Sequence, residues 1–327
     1  MLERKLKRIA VVTSGGDSPG LNAAIRAVVR TALIHRIEIF GIRHGYEGLM
    51  KGDFIRLDGP SVSGVINRGG TFLFTTRSKN FESKAGLAKA VRSLARHKID
   101  GLLVLGGNGS LKGAWELAQK TPAAVVGIPK SIDNDVGGTE YSIGFDTAVN
   151  TAVEVIDKLR DTATSHERLF FVEVMGRKRG FLALATALAG GAESVLLPEV
   201  KTDIASLCRI LERGKKHGKI SSIVVVAEGD EMGGALEIAK KIRKAGPYDV
   251  RVSIIGYQQR GGAPSAFDRI LASQLGNAAV EALMAGERTK MVGIQKGEVV
   301  TVPLDFAWRI KKPLDSSLLR LAEVLSR

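Results

Sequence analysis

IAVVTSGGDSPGLNAAIR, residues 9–26, is a β-branched apolar run that stops at a Gly-Gly turn and passes directly into a helical pattern. A strand that is apolar throughout, rather than alternating, is buried on both faces. Strand, glycine turn and helix in that order form the repeating half of a doubly wound α/β sheet. The same events recur along the chain. Strand-like runs stand at 37–42 (IEIFGI), 101–107 (GLLVLGG), 123–129 (AAVVGIP), 169–175 (LFFVEVM), 222–229 (SIVVVAEG) and 250–257 (VRVSIIGY), with helical stretches at 21–33, 87–98, 146–162 and 265–286. The pattern predicts an α/β fold of mainly parallel sheets with helices on both faces. So many strands exceed one open sheet, so two doubly wound sheets are expected, with ligands at the carboxyl ends of the strands. Neither a fixed repeat nor a low-complexity linker marks a domain boundary.

Composition narrows the function classes. The 327 residues are 44% hydrophobic and 25% charged, with 38 Gly and only 5% aromatics. That is ample for buried cores and poor in the aromatics that stack nucleic-acid bases, so no specific nucleic-acid partner is expected. Cys208, in the helical-looking SLCRILERG, is the single cysteine, which excludes an internal disulfide and a Cys-based zinc site and suits a reducing compartment. The amino-terminal MLERKLKRIAVVTSGGD turns polar too early for the roughly 7–15-residue core of a signal peptide. FLALATALAGGA, from Phe181, is shorter than the roughly 18–20 residues of a membrane span and is broken by Gly190 and Gly191. A cytoplasmic protein without membrane attachment is expected. The net charge of +14, from 48 Lys+Arg against 34 Asp+Glu, favours anionic partners. The blocks ERKLKR (3–8) and RGKKHGK (213–219) suit solvated surface as well as anion capture.

Three strand-to-helix turns carry chemistry. In Thr13–Asn22, paired glycines let an anion approach backbone N–H groups, and Asp17 or Ser18 is placed to cap a helix with Pro19 in its first turn. Leu105-Gly106-Gly107-Asn108-Gly109-Ser110-Leu111 repeats the design, with Ser110 as the expected cap and Asn108 facing the ligand. Ile128-Pro129-Lys130-Ser131-Ile132-Asp133-Asn134-Asp135 sets two carboxylates beside a lysine and a hydroxyl, a set suited to a general base with a neighbour for metal or charge. Taken singly, each also suits an ordinary tight or polar turn. Two glycine cradles on neighbouring strands of one sheet would open at one crevice. Arg77, Arg168, Arg177, Arg251 and Arg260 stand at loop positions where a guanidinium fork can take phosphate oxygens, or a surface carboxylate.

Through SGGDSPGLNAAIR, INRGGT, GGNGS, PKSIDND, GFDTA, MGRKRG, the VVVAEG strand and GYQQRGGAPSAFDRILA, the chain resembles the bacterial-type 6-phosphofructokinase family over nearly its whole length. The resemblance implies Mg²⁺-dependent transfer of the ATP γ-phosphoryl group to fructose 6-phosphate in glycolysis. It implies a catalytic set of Asp133, Arg177 and Arg77, in which Asp133 accepts the proton of the sugar 1-hydroxyl and Arg77 steadies the transferring phosphoryl group. Gly16, Arg77, Ser78, Gly107, Asn108, Gly109, Ser110 and Lys130 match donor positions, and Asn108 and Asp135 match the metal site. Ser131, Asp133, Asp135, Met175, Gly176, Arg177, Glu228, Tyr257 and Arg260 match sugar-phosphate positions. Arg168 and Arg251 match arginines that reach the 6-phosphate from a neighbouring subunit, implying a homo-oligomer, a tetramer or at least a dimer. The implied domains are 1–144 plus 259–309 for the nucleotide, and 145–258 plus 310–327 for the sugar phosphate.

The chain also departs from that family's pattern. Asn108 stands where most members carry an Asp that contacts magnesium. Lys130, in place of a Gly, and Tyr257, in place of a His, resemble pyrophosphate-using relatives and some atypical ATP users. Gly109 matches ATP users, since pyrophosphate users place an Asp there that obstructs the α-phosphate. ATP is the expected donor, with pyrophosphate as the alternative and a noncatalytic sugar-phosphate or nucleotide sensor as a further one. Arg26, Arg30, Arg160 and Glu193 agree with effector-binding positions, whereas Gly59 replaces an Arg.

Overall fold

A computed structural model describes residues 6–325, so residues 3–5 of the basic block at 3–8 lie outside the described residues. Along the chain run β1 (Arg8–Thr13), α1 (Leu21–Ile34), β2 (Glu38–Ile42), α2 (Gly45–Lys51), β3 (Phe54–Leu57), α3 (Lys84–Arg96), β4 (Gly101–Gly106), α4 (Asn108–Ala118) and β5 (Ala124–Pro129). There follow α5 (Phe145–Ser165), β6 (Leu169–Val174), α6 (Phe181–Ala189), β7 (Ser194–Leu196), α7 (Ile204–Lys216), β8 (Ser222–Ala227), α8 (Ala235–Ala245) and β9 (Val250–Ile254). The chain closes with α9 (Ala266–Met284), β10 (Lys290–Gln295), β11 (Glu298–Pro303), α10 (Phe306–Arg309) and α11 (Ser316–Leu325). Each of the seven strand-like runs is a strand, as the α/β reading expects. No helix among the described residues is long and apolar enough to cross a membrane.

The chain divides into two compact units. The first takes residues up to Ser131, Asp135–Asp146 and Arg260–Lys312. Its seven-stranded sheet has the order β11-β10-β5-β4-β1-β2-β3, parallel except at the two edges. Burial on both faces explains the continuous apolar strands. Ile9 and Val11 pack with α1 and α9 through Leu21, Ile25, Leu275 and Val280. Ala10 and Val12, one residue out of phase, pack with α2, α3 and α4 through Leu49, Leu94, Leu111 and Leu117. Register brings three strand ends level, with Thr13 opposite Leu105 and Leu105 opposite Ile128. The turns at 13–22, 105–111 and 128–135 therefore leave adjacent strands β1, β4 and β5.

The antiparallel edge strands β3 and β11 are not among the strands read from sequence. β11 folds back on β10 across Lys296 (φ 53°) and Gly297 (φ 79°), with Gln295 paired to Glu298. Two positive φ values in a two-residue loop are the mark of a type I′ hairpin, a turn that Lys-Gly signals more weakly than Asn-Gly.

The second unit comprises Ile132–Asn134, Thr147–Gln259 and Pro313–Arg327. Its four parallel strands run β7-β8-β6-β9. Phe171, Val224 and Val226 pack against Leu207 and Leu211 of α7 and Ile238 and Ile242 of α8. Val172 and Val225, which alternate with them, are equally buried, and α6 packs on β8.

Candidate active site

In the first unit the turns after β1 and β4 lie directly on one another. A Cβ on Gly15 (φ +90°) would stand 2.9 Å from Ser110 Oγ, and one on Gly106 would stand 2.4 Å from Ser110 Cβ. Only glycine admits that approach. Ser110 Oγ donates to Ser14 Oγ at 3.1 Å, so its hydroxyl ties the two turns together. This corrects the expectation that Ser110 caps α4: that helix begins at Asn108 behind Gly107, without a side-chain cap. The first N–H groups of α4, which like those of any helix have no intrahelical acceptor, are thus left without a side-chain cap, the condition for anion binding at a helix start. Neither Asp17 nor Ser18 caps α1, which starts at Leu21 after Gly20 (φ 97°). The Pro19-Gly20 turn delays the helix, and Ser18 Oγ donates instead to the Ile143 carbonyl at 3.3 Å.

Cationic groups converge on the first turn. A Cβ at Gly16 would meet Arg260 Nη1 at 3.4 Å and Arg77 Nη2 at 3.7 Å, so two guanidinium heads flank one glycine. Arg260 Nη1 also stands 4.0 Å from Asp17 Oδ1. Lys130, 4% exposed, is expected to face a phosphate; its ammonium donates to the carbonyls of Gly16 and Ser14. A charge tied to carbonyls braces that turn from its acceptor side. Gly107 stands close to the Lys130 carbonyl, 3.4 Å from its ideal Cβ, whereas Gly109 has open space around its own.

Two residues of α2, neither of them read from the sequence, hold these segments. Tyr46 donates its hydroxyl to the Ser110 carbonyl at 2.5 Å and stacks on Phe81 at 3.8 Å between ring centres. Burial pushes its phenol well above the usual tyrosine range, so the donor persists at alkaline pH. Glu47 accepts from the Ser78 hydroxyl, which in turn accepts from the Phe81 N–H at 3.1 Å. Tyr46→Phe is expected to lower unfolding stability by about 0.5–1.5 kcal/mol, the net worth of one hydrogen bond. Urea unfolding checks this, and an unchanged midpoint would remove Tyr46 from the brace.

Asn108 and Asp135 meet in the same unit. Asn108 Nδ2 donates to Asp135 Oδ2 at 2.9 Å, Ser131 Oγ donates to Asp135 Oδ1 at 3.2 Å, and Asn108 Oδ1 is buried without a partner.

In the second unit, Met175, Gly176, Arg177 and Glu228 stand at the carboxyl ends of neighbouring strands β6 and β8. Arg177 (φ 52°) takes a left-handed turn after Gly176 (φ 135°), and its N–H donates to Glu228 Oε1 at 2.7 Å. A Cβ on Gly229 would lie 1.7 Å from the Arg177 carbonyl, so this close approach also demands glycine. The Arg177 guanidinium reaches Asp133, with Nε 3.4 Å from Oδ2; the carboxylate is 8% exposed and the arginine 57%. Gln259, fully buried, accepts from the Met175 N–H at 2.8 Å and donates to the Ala148 carbonyl at 3.3 Å. It is a further support that no sequence motif announces. Asp230 anchors the loop after Glu228 through the Thr202 hydroxyl at 2.7 Å, and burial raises its carboxyl above the usual range. Tyr257 is 77% exposed on a short 3₁₀ turn, Gly256–Arg260.

Arg168 and Arg251 are not brought to that end of the sheet. Arg168 immediately precedes β6 and Arg251 is the second residue of β9, and both pair with Asp249, at 3.0 Å and 3.2 Å. A six-residue strand puts roughly 20 Å between them and Arg177. One small ligand cannot touch both sets in a single chain.

Comparison with known proteins identifies the family. The family model described as Phosphofructokinase matches residues 8–283. An "ATP-dependent 6-phosphofructokinase 1" of Thermus thermophilus is 51% identical over 321 residues, 98% of this chain and all of that protein. The chain belongs to the phosphofructokinase family. An "ATP-dependent 6-phosphofructokinase" of Brevibacillus brevis is 49% identical over the same coverage of both chains. A solved phosphofructokinase of Saccharomyces cerevisiae superposes with TM-score 0.88 at 33% identity, covering 98% of this chain and 50% of that one. This phosphofructokinase thus spans about half the length of the yeast chain.

Proposed function

We propose that this phosphofructokinase transfers the γ-phosphoryl group of ATP to the 1-hydroxyl of fructose 6-phosphate, giving fructose 1,6-bisphosphate and ADP, a step of glycolysis. The observation that carries the reading is Asp133, a carboxylate sunk to 8% exposure beside the Arg177 guanidinium, in the segment that follows β5. As the sugar O1 forms its bond to the γ-phosphorus and the bond to the β-phosphate oxygen breaks, Asp133 takes the hydroxyl proton. Arg77 offers positive charge to the moving group, and the first unit's two glycine turns hold the rest of the donor with backbone N–H groups. Ser131, Met175, Gly176, Glu228, Tyr257 and Arg260 complete the proposed sugar-phosphate contacts.

Magnesium takes oxygen ligands, keeps several waters, and is held by one or two protein groups plus phosphates. Asp135 fits that sparse donor set and would hold the ion, whereas the Asn108 amide, which donates to Asp135, would compete with the ion there rather than bind it. The chemistry the ion would supply there is positive charge that offsets the charge developing on the phosphate oxygens. The donor is ATP because the space around Gly109 is open. A coupled assay with fructose 6-phosphate tests the whole reading. Turnover with Mg·ATP is expected, and turnover with pyrophosphate alone would reverse the donor.

The active form is an oligomer, since Arg168 and Arg251 stand a strand's length from Arg177 and suit a neighbour's 6-phosphate. Arg251→Ala is expected to raise KM for fructose 6-phosphate about 10–100-fold with little change in stability, because its ion pair is exposed and Asp249 keeps Arg168. Light scattering that found an active monomer at assay concentration would sink the shared site. A cytoplasmic setting goes with this reading, because its substrates are charged phosphates that do not cross membranes unaided.

A further inference from the structure

Both carboxylate oxygens of Asp135 accept a hydrogen bond within the protein. Its Oδ2 accepts from Asn108 Nδ2 at 2.9 Å, its Oδ1 accepts from Ser131 Oγ at 3.2 Å, and the same Asn108 amide reaches the Asp135 carbonyl at 3.3 Å. Bonds from a donor to an ionised carboxylate are the stronger kind. Asn108 satisfies its donor this way and leaves its acceptor, Oδ1, buried and unpartnered. A buried polar atom without a partner is uncommon and calls for an explanation. The side chain is thus arranged around what Asp135 needs. Replacing the NH₂ by a carboxylate oxygen would set two anions at that same separation, a repulsion that a cation between them would relieve.

We propose that Asn108 substitutes for a metal ion: its amide holds Asp135 in place without Mg²⁺, and a metal held by Asp135 at Oδ2 would have to take the place of that amide. Two consequences follow from the geometry. The turn that opens α4 keeps its shape without metal. Mg²⁺ alone gains little at this site, because it must break an existing charge-assisted bond, so the ion arrives together with the phosphates that supply its other ligands. The proposal rests on the reaction above only for the identity of the ion.

Thermal unfolding of the full chain, in EDTA and then in excess Mg²⁺ at matched ionic strength and without nucleotide, tests it. Wild-type protein is expected to keep its midpoint within about 1 °C. Asn108→Asp is expected to lose at least about 2–4 °C in EDTA and to regain it with Mg²⁺. Asn108→Ala frees one Asp135 oxygen without adding charge, so it is expected to show a smaller Mg²⁺ response, and it decides the matter if Asn108→Asp does not fold. Three results would overturn the proposal: a wild-type midpoint that climbs by 2 °C or more with Mg²⁺ alone, an Asn108→Asp chain as stable as wild type in EDTA, or an Asn108→Ala chain that ignores the ion. Turnover of the same wild-type sample with fructose 6-phosphate and Mg·ATP separates the two readings. Absent turnover removes the proposed reaction while the unfolding comparison still decides the role of Asn108; turnover from a chain whose midpoint Mg²⁺ raises removes the Asn108 assignment alone.

Discussion

Asp133→Asn is expected to lower kcat by about 10²–10⁴-fold, the contribution typical of a general base, while leaving KM for both substrates within a few-fold. The substitution keeps the size and planarity of the side chain and removes its capacity to take a proton. Its structural cost is small for a stated reason. The charged partner at 3.4 Å, the Arg177 guanidinium, is 57% exposed and is solvated by water once the carboxylate charge is gone. Loss of a charge from a wholly buried pair would instead strand the partner at a cost of several kcal/mol. Folding and catalysis are therefore separable here. Circular dichroism and the unfolding midpoint should match wild type while steady-state turnover collapses. A variant within threefold of wild type would show that the proton goes elsewhere, and an unfolded variant would show that the Asp133–Arg177 pair is structural. Arg177→Ala supplies the contrast, because it removes the pair and keeps the base.

The division between what the sequence announces and what it hides follows the physics of each signal. Continuous apolar strands ending in glycine are legible because burial on both faces leaves no alternation, and β1, β4 and β5 lie side by side as the repeated turn chemistry expects. Edge strands such as β3, four residues long with only Leu57 buried, carry no such pattern. Capping is read poorly at both glycine turns, since a serine before a helix has other acceptors: Ser18 finds the Ile143 carbonyl and Ser110 finds Ser14. Supports of the site are the least visible. Tyr46, Glu47 and Gln259 act through the backbone or through a serine of residues far away in sequence, and a lone Tyr or Gln has no spacing to betray it. The passage of Ile132–Asn134 into the second unit is likewise a fact of three-dimensional contact, although it carries Asp133.

Gly109→Asp is expected to destroy ATP use without harming the fold, which makes it the sharpest test of the donor. Gly109 is exposed, its φ is not in the left-handed region, and a Cβ there meets nothing within 4 Å. An aspartate therefore fits the free protein without strain. Standing in the first turn of α4, it also faces the positive end of the helix dipole, a placement worth about 0.3–1 kcal/mol of stabilisation. The unfolding midpoint should hold or rise. The proposed donor site sets the α-phosphate of the nucleotide against this carboxylate, and an anion set against an anion at a binding surface costs several kcal/mol. At 1.4 kcal/mol per tenfold, kcat/KM for ATP should fall by at least about 10²-fold. Any turnover with pyrophosphate, which has no α-phosphate to place there, should survive. Gly109→Ala adds only a methyl group to open space and should leave ATP use near wild type, which separates charge from bulk. A Gly109→Asp chain that is stable and still uses ATP within threefold of wild type would mean that the nucleotide does not pass over this residue, and the choice of ATP would lose its structural ground.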